Sequence, residues 1–110
     1  MDAELTKTFA FSASHKRGER SIGANYTLSV TTKALDESAE DELDSTVRSE
    51  LIMKLHTNDF SAVDFLKGVE PEDSALLRAF WSRLSGPLAK FVPRKLALQR
   101  DSRTTTTLYL

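Results

Sequence analysis

The sequence predicts an α+β fold of order ββααββ, in which a four-stranded antiparallel sheet carries two helices on one face. Three observations predict it. Apolar and polar residues alternate near both ends of the chain, the two-residue period of half-buried strands. Between them Leu43, Val47, Leu51 and Leu55 recur every four residues, a helical spacing. A second helical stripe, Leu76 to Leu84, has Pro71 ahead of it and Gly86-Pro87 behind it, residues that open and stop helices.

Each element follows from its own residues. Thr8 to His15 places Phe9, Phe11, Ala13 and His15 on one side of a strand and Thr8, Ala10, Ser12 and Ser14 on the other. The polar stretch from Lys16 to Gly23 reads as a long hairpin loop. Asn25 to Lys33 then sets Tyr26, Leu28, Val30 and Thr32 on one face of a second strand, rich in aromatic and β-branched residues. A helix begins at Ser38, with Asp41 three residues on as a capping pair. Its acids Glu40, Asp41 and Glu42 suit the positive end of the helix dipole, and it runs to about His56. Residues 58–70 hold Phe60, Val63, Phe65 and Leu66 without a period and read as a loop with a short turn. Pro71 opens the second helix, and Leu76, Leu77, Phe80, Trp81 and Leu84 form its buried stripe. After Pro93, Lys95 to Arg100 and Thr104 to Leu110 read as the last two strands. A sheet covered on one face leaves its edges open. Pairing edges between subunits satisfies their backbone groups, which predicts a ring or barrel of several chains.

Composition narrows the function classes. Residues 1–110 suffice for one domain and one core. Fifteen Lys and Arg against sixteen Asp and Glu leave no field strong enough to draw in nucleic acid or an anionic membrane. The absence of cysteine excludes disulfides, thiolate zinc sites and cysteine nucleophiles. No apolar run approaches the roughly 20 residues of a membrane span, and the first residues lack the apolar centre of a signal peptide. The expectation is a soluble, cytoplasmic protein. Arg83, Lys90, Arg94, Lys95, Arg100 and Arg103 make the last third basic, a cluster that suits the phosphate chain of a ligand or, as the preferred reading, the acidic patch Asp36 to Glu50 of a neighbouring subunit, a patch that by itself reads as a solvated helix face.

The string Phe11-Ser12-Ala13-Ser14-His15, followed by Gly23 and Asn25-Tyr26 in the second strand, resembles the 6-pyruvoyltetrahydropterin synthase and 6-carboxytetrahydropterin synthase family. The resemblance implies the T-fold, with the ββααββ order, barrel assembly and a site between subunits. It makes His15 the counterpart of the first zinc ligand of the family. Ile22 and Ala24 stand where the other two zinc-binding histidines belong. Leu55-His56 takes the place of an Asp-His pair, which keeps the proton-relaying histidine and loses its carboxylate. Asp101-Ser102 falls where a Glu-Thr pair grips the pterin, eight residues before Tyr109. The catalytic cysteine of the family has no counterpart.

The zinc of that family acts as a Lewis acid on three protein nitrogens with an open fourth position. Ile22 and Ala24 have no lone pair to give, so no cofactor is expected. A substitute site from His15, His56 and Glu19 is the alternative, since two imidazoles and a carboxylate can bind zinc. His15 otherwise reads as a hydrogen-bonded or exposed strand-end residue, and His56 as a histidine favoured by a helix C-terminus. Asp101 can accept two parallel N–H bonds from the 2-amino and N3 edge of a pterin. Otherwise it is an acid at a strand end, paired with Arg100 or Arg103. The reading is a synthase-like homo-oligomer (trimer, tetramer or hexamer) that holds a pterin-like or purine-like ring and lacks the usual lyase activity. An active synthase with a rearranged site, or a structural subunit of a mixed barrel, are the other readings.

Overall fold

The computed structural model describes residues 3–110, Arg17 by its backbone alone. Two long strands, β1 (Glu4–Arg17) and β2 (Arg20–Lys33), form an antiparallel hairpin. A helical segment follows as α1 (Glu37–Val47), a π-helical turn (Arg48–Ile52) and a last turn, α2 (Met53–Leu55). After β3 (Asn58–Asp59) come two short 3₁₀ turns, then α3 (Asp73–Leu84), β4 (Pro93–Arg100) and β5 (Thr104–Tyr109). The sheet order is β3-β1-β2-β4-β5.

The expected ββααββ α+β fold is the one observed, with a fifth strand added. β3 pairs parallel to β1 over Ala13 and Ser14 only, and the other four strands are antiparallel. Two residues carry no readable period, so this strand is invisible in the sequence. The hairpin is also tighter than its polar residues suggest. β1 and β2 pair out to Arg17 and Arg20, and Gly18 takes the left-handed φ of +62° that the turn requires. Exposed ribbon needs backbone pairing and no apolar face, which is why alternation fails to mark it.

Helix starts moved by one or two residues. Asp36 caps α1, its carboxylate accepting the Ala39 N–H at 2.8 Å, in place of Ser38. α3 begins at Asp73, two residues after Pro71. The four leucine and valine positions of the first helical segment are fully buried at every step. In a regular helix a four-residue step overshoots one turn by about 40°. The π turn at Arg48–Ile52 is wider, and it takes up that drift so that Leu43, Val47, Leu51 and Leu55 stay on the core.

The core lies on one face of the sheet. Phe9, Phe11, Tyr26, Leu28, Val30, Leu96 and Leu98 meet the helical stripes, and Phe11 stacks on Tyr26 with ring centroids 5.2 Å apart. The opposite face carries the alternate residues, among them Thr8, Ser12, Ser14, Asn25, Thr27, Ser29 and Gln99, mostly small and hydroxylated. No described helix is long and apolar enough to cross a membrane.

Candidate functional site

On the helix-free face, at one end of the sheet, Ser12, Ala13 and Ser14 of β1, Gly23, Ala24 and Asn25 of β2, Thr57 and Asn58 and the turn residue Asp101 wall an open cavity of about 390 Å³. The turn between β4 and β5 puts Asp101 there. Asp101 and Ser102 have φ of +50° and +59°, the left-handed pair of a type I′ turn, closed by the Arg103 N–H on the Arg100 carbonyl at 3.1 Å. Asp is among the few residues that adopt this conformation readily.

Asp101 is clasped to β2 from both sides. Its Oδ1 accepts the Asn25 N–H at 2.9 Å, and its own N–H donates to the Asn25 carbonyl at 2.8 Å. The carboxylate is therefore held by backbone rather than by Arg100, which lies on the helix face and pairs with Asp73 at 3.4 Å. Oδ2 has no partner among the described residues, and Oδ1 retains a second lone pair. Ser102 is exposed beside it and does not line the cavity.

The opposite wall hangs on the end of the first helical segment. The Ser12 N–H donates to Nδ1 of His56 at 3.0 Å, and the Thr57 N–H donates to the Ser12 carbonyl at 2.6 Å. An imidazole that accepts on Nδ1 carries its proton on Nε2. His56 thus anchors the helix end to the edge of β1 and does not itself line the cavity. Thr57 sits at a φ of +64°, a strained conformation for a β-branched residue. Nothing in the sequence signals that strain. Across the cavity floor the Ser12 hydroxyl donates to Oδ1 of Asn25 at 2.7 Å.

Asp59, next to this wall, escaped the sequence reading although Asp59-Phe60-Ser61 has the spacing of an Asx turn. Its Oδ1 accepts the Ser61 hydroxyl at 2.6 Å and the Ser61 N–H at 2.9 Å, and its Oδ2 accepts the Ser14 hydroxyl at 2.8 Å. The Ser61 hydroxyl above all, helped by the Ser61 N–H, Ser14 and the charge of Lys16, holds this carboxyl at about 2 against the opposing effect of burial.

His15 lies on the other face. It pairs with Ile22 across the hairpin, as Ala13 pairs with Ala24, so the three positions matched to zinc ligands do share one side of the sheet. There His15 borders two cavities of about 290 and 350 Å³, one of them lined also by Ile22, Glu72, Asp73 and Arg100; His56 lines neither. Its Nδ1 is buried without a hydrogen-bond partner among the described residues. Nearby, burial first and then the charge of Asp73 push the Tyr26 hydroxyl above its ordinary pKa. A zinc ion does not fit the donors at this place. One imidazole faces the side chains of Ile22 and Ala24, Glu19 is exposed in the hairpin turn, and among the described residues no three His, Asp or Glu side chains gather as a metal site.

The basic residues of the last third are mostly paired within the chain. Arg83 meets Glu50 at 3.3 Å, Lys90 meets Glu42, and Arg94 meets Glu4 at 3.3 Å. Within the chain the acidic patch is met by Arg83 and Lys90, and also by Lys7 and Arg48.

No protein-family model and no curated protein sequence matches the chain. Solved structures do. The 6-pyruvoyl tetrahydropterin synthase of Caenorhabditis elegans superposes with a TM-score of 0.74 at 14% identity, covering 100% of this chain and 96% of that one. The Plasmodium vivax 6-pyruvoyl tetrahydropterin synthase gives 0.60 at 14% identity, covering 100% and 98%. The Plasmodium falciparum protein of the same name gives 0.57 at 14%, covering 99% of each chain. The chain therefore has the fold of the 6-pyruvoyltetrahydropterin synthases along its whole length, as the motif Phe11 to His15 implied.

Proposed function

We propose that the protein binds a pterin-like or purine-like ring through Asp101, at an interface between copies of itself, without the zinc-assisted lyase chemistry associated with its fold. The observation that carries this is the placement of Asp101 in the cavity wall, with its carboxylate fixed by Asn25 and its Oδ2 without a partner among the described residues. A fixed carboxylate loses little freedom on accepting the 2-amino and N3 hydrogens of such a ring, which favours binding. Ile22 and Ala24 beside His15 support the absence of zinc, since neither offers a lone pair. The open edges of β5 and of β1 from Glu4 to Phe11 support assembly by strand pairing.

The test is titration of neopterin fluorescence with the protein and with Asp101→Asn. Asparagine tolerates the left-handed turn, and its amide oxygen still accepts the Asn25 N–H, so the fold is retained while the charge is removed. Affinity is expected to fall about tenfold or more, the scale of one charge-assisted hydrogen bond. Equal curves for the two proteins, with unchanged circular dichroism, overturn the assignment of Asp101. About one zinc per chain in protein purified without chelators overturns the metal-free part of the reading.

A further inference from the structure

Thr57 sits in the cavity wall opposite Asp101, in a conformation that its side chain resists. At a φ of +64° the branched Cβ crowds the backbone, and a glycine would take the same place without that strain. Strain of this kind persists only where the surroundings over-determine it. Here the Thr57 N–H donates to the Ser12 carbonyl at 2.6 Å, and the Ser12 N–H donates to Nδ1 of His56 at 3.0 Å. Asn58 is tied down by its pairing with Ala13 and by its side-chain amide, which donates to the Lys54 carbonyl at 2.8 Å. All of these bonds run through the backbone of Thr57 or through its neighbours, so none of them requires a side chain at position 57.

The other hydroxyls of the cavity are committed within the chain. Ser12 donates to Oδ1 of Asn25 at 2.7 Å, and Ser14 donates to Oδ2 of Asp59 at 2.8 Å. The Thr57 hydroxyl makes no hydrogen bond among the described residues, and Thr57 is exposed. A strained, branched residue whose polar atom serves nothing in its own chain is held for something outside it. In a 2-amino-4-oxo ring gripped by a carboxylate, the donors are used on the 2-amino and N3 side. The 4-oxo oxygen and the ring nitrogen beyond it remain as acceptors, and a hydroxyl supplies the donor they lack. Resting on the assignment of Asp101 as the ring-gripping residue, we infer that Thr57 is a second ligand-binding residue. Its hydroxyl donates to the 4-oxo edge of the ring, and its left-handed backbone holds it in the cavity wall.

The experiment measures neopterin affinity by fluorescence titration, Tm and native mass for the parent protein, Thr57→Gly and Thr57→Val. Thr57→Gly removes the strain and the hydroxyl together. It is expected to raise Tm by about 4 °C while weakening neopterin about fivefold, the scale of one neutral hydrogen bond. Thr57→Val keeps the branched, strained side chain and removes only the hydroxyl, so it weakens neopterin by a similar factor with no gain in Tm. Affinities equal to the parent in both variants, or a lower Tm for Thr57→Gly, overturn the inference and leave the assignment of Asp101 standing. A change of assembly state in Thr57→Val gives the hydroxyl to a neighbouring copy and overturns it as well. Failure of the parent protein to bind neopterin overturns the ring site and the role of Thr57 together.

Discussion

Two carboxylates at one end of the sheet show how the same group serves different ends. Asp101 offers an open oxygen to the cavity, whereas the oxygens of Asp59 are occupied by Ser14 and Ser61. That difference has a pH signature. The folded Asp59 carboxyl titrates at about 2 against an ordinary 3.8, so its contribution to stability is complete above about pH 4 and is lost as the pH falls through 2. Asp59→Asn is expected to be less stable than the parent protein at pH 7, with the difference closing between pH 4 and pH 2 in chemical denaturation. A difference that stays constant across that window contradicts the account. Residue roles of this kind were only partly legible. The acid at position 101 and the histidine at 56 were visible as types. Their uses, a clasp on Asn25 and an acceptor for the Ser12 N–H, depend on partners 76 and 44 residues away in the chain.

At the scale of elements, legibility followed burial. The strands with an apolar face, around Phe9 to Ala13, Tyr26 to Thr32 and Leu96 to Leu98, announced themselves because water is excluded from one side of them. The exposed reach of the hairpin and the two-residue β3 gave no such sign. The four-residue repeat of the first helix held a further message, because a strict spacing of four does not match 3.6 residues per turn. Ser49, exposed in the π turn, acts as the surplus residue. Deleting it turns the spacing into four, three, four, which a regular helix keeps on one face. That variant is expected to fold with a Tm within about 5 °C of the parent, a change on the order of 1 kcal/mol. Deleting the equally exposed Arg78 from α3 swings Phe80 and Leu84 by about 100° off the core and is expected to abolish cooperative thermal unfolding. Equal damage from both deletions removes the π turn's role.

For the whole molecule, the open edges matter most. β5 is Thr104-Thr105-Thr106-Thr107-Leu108-Tyr109, without a charge or a proline to discourage pairing, and Tyr109 is 77% exposed. On the far side β3 covers β1 only at Ala13 and Ser14. Native mass spectrometry is expected to give a closed multiple of the 12.3 kDa chain, and a monomer at micromolar concentration contradicts assembly through these edges.

The molecule measures 49 × 25 × 19 Å. Its long dimension is close to the ~46 Å of a 14-residue strand, so the β1–β2 hairpin spans nearly all of it. Beyond Ala13 and Ala24 the ribbon outruns the buried core, and a two-stranded ribbon alone is barely stable in water. The protruding end is thus a springboard, anchored at one end and loose at the other. Its tip opens at a small fraction of the free energy needed to melt the anchored half, and a neighbour that grips it stiffens the platform beneath the cavity.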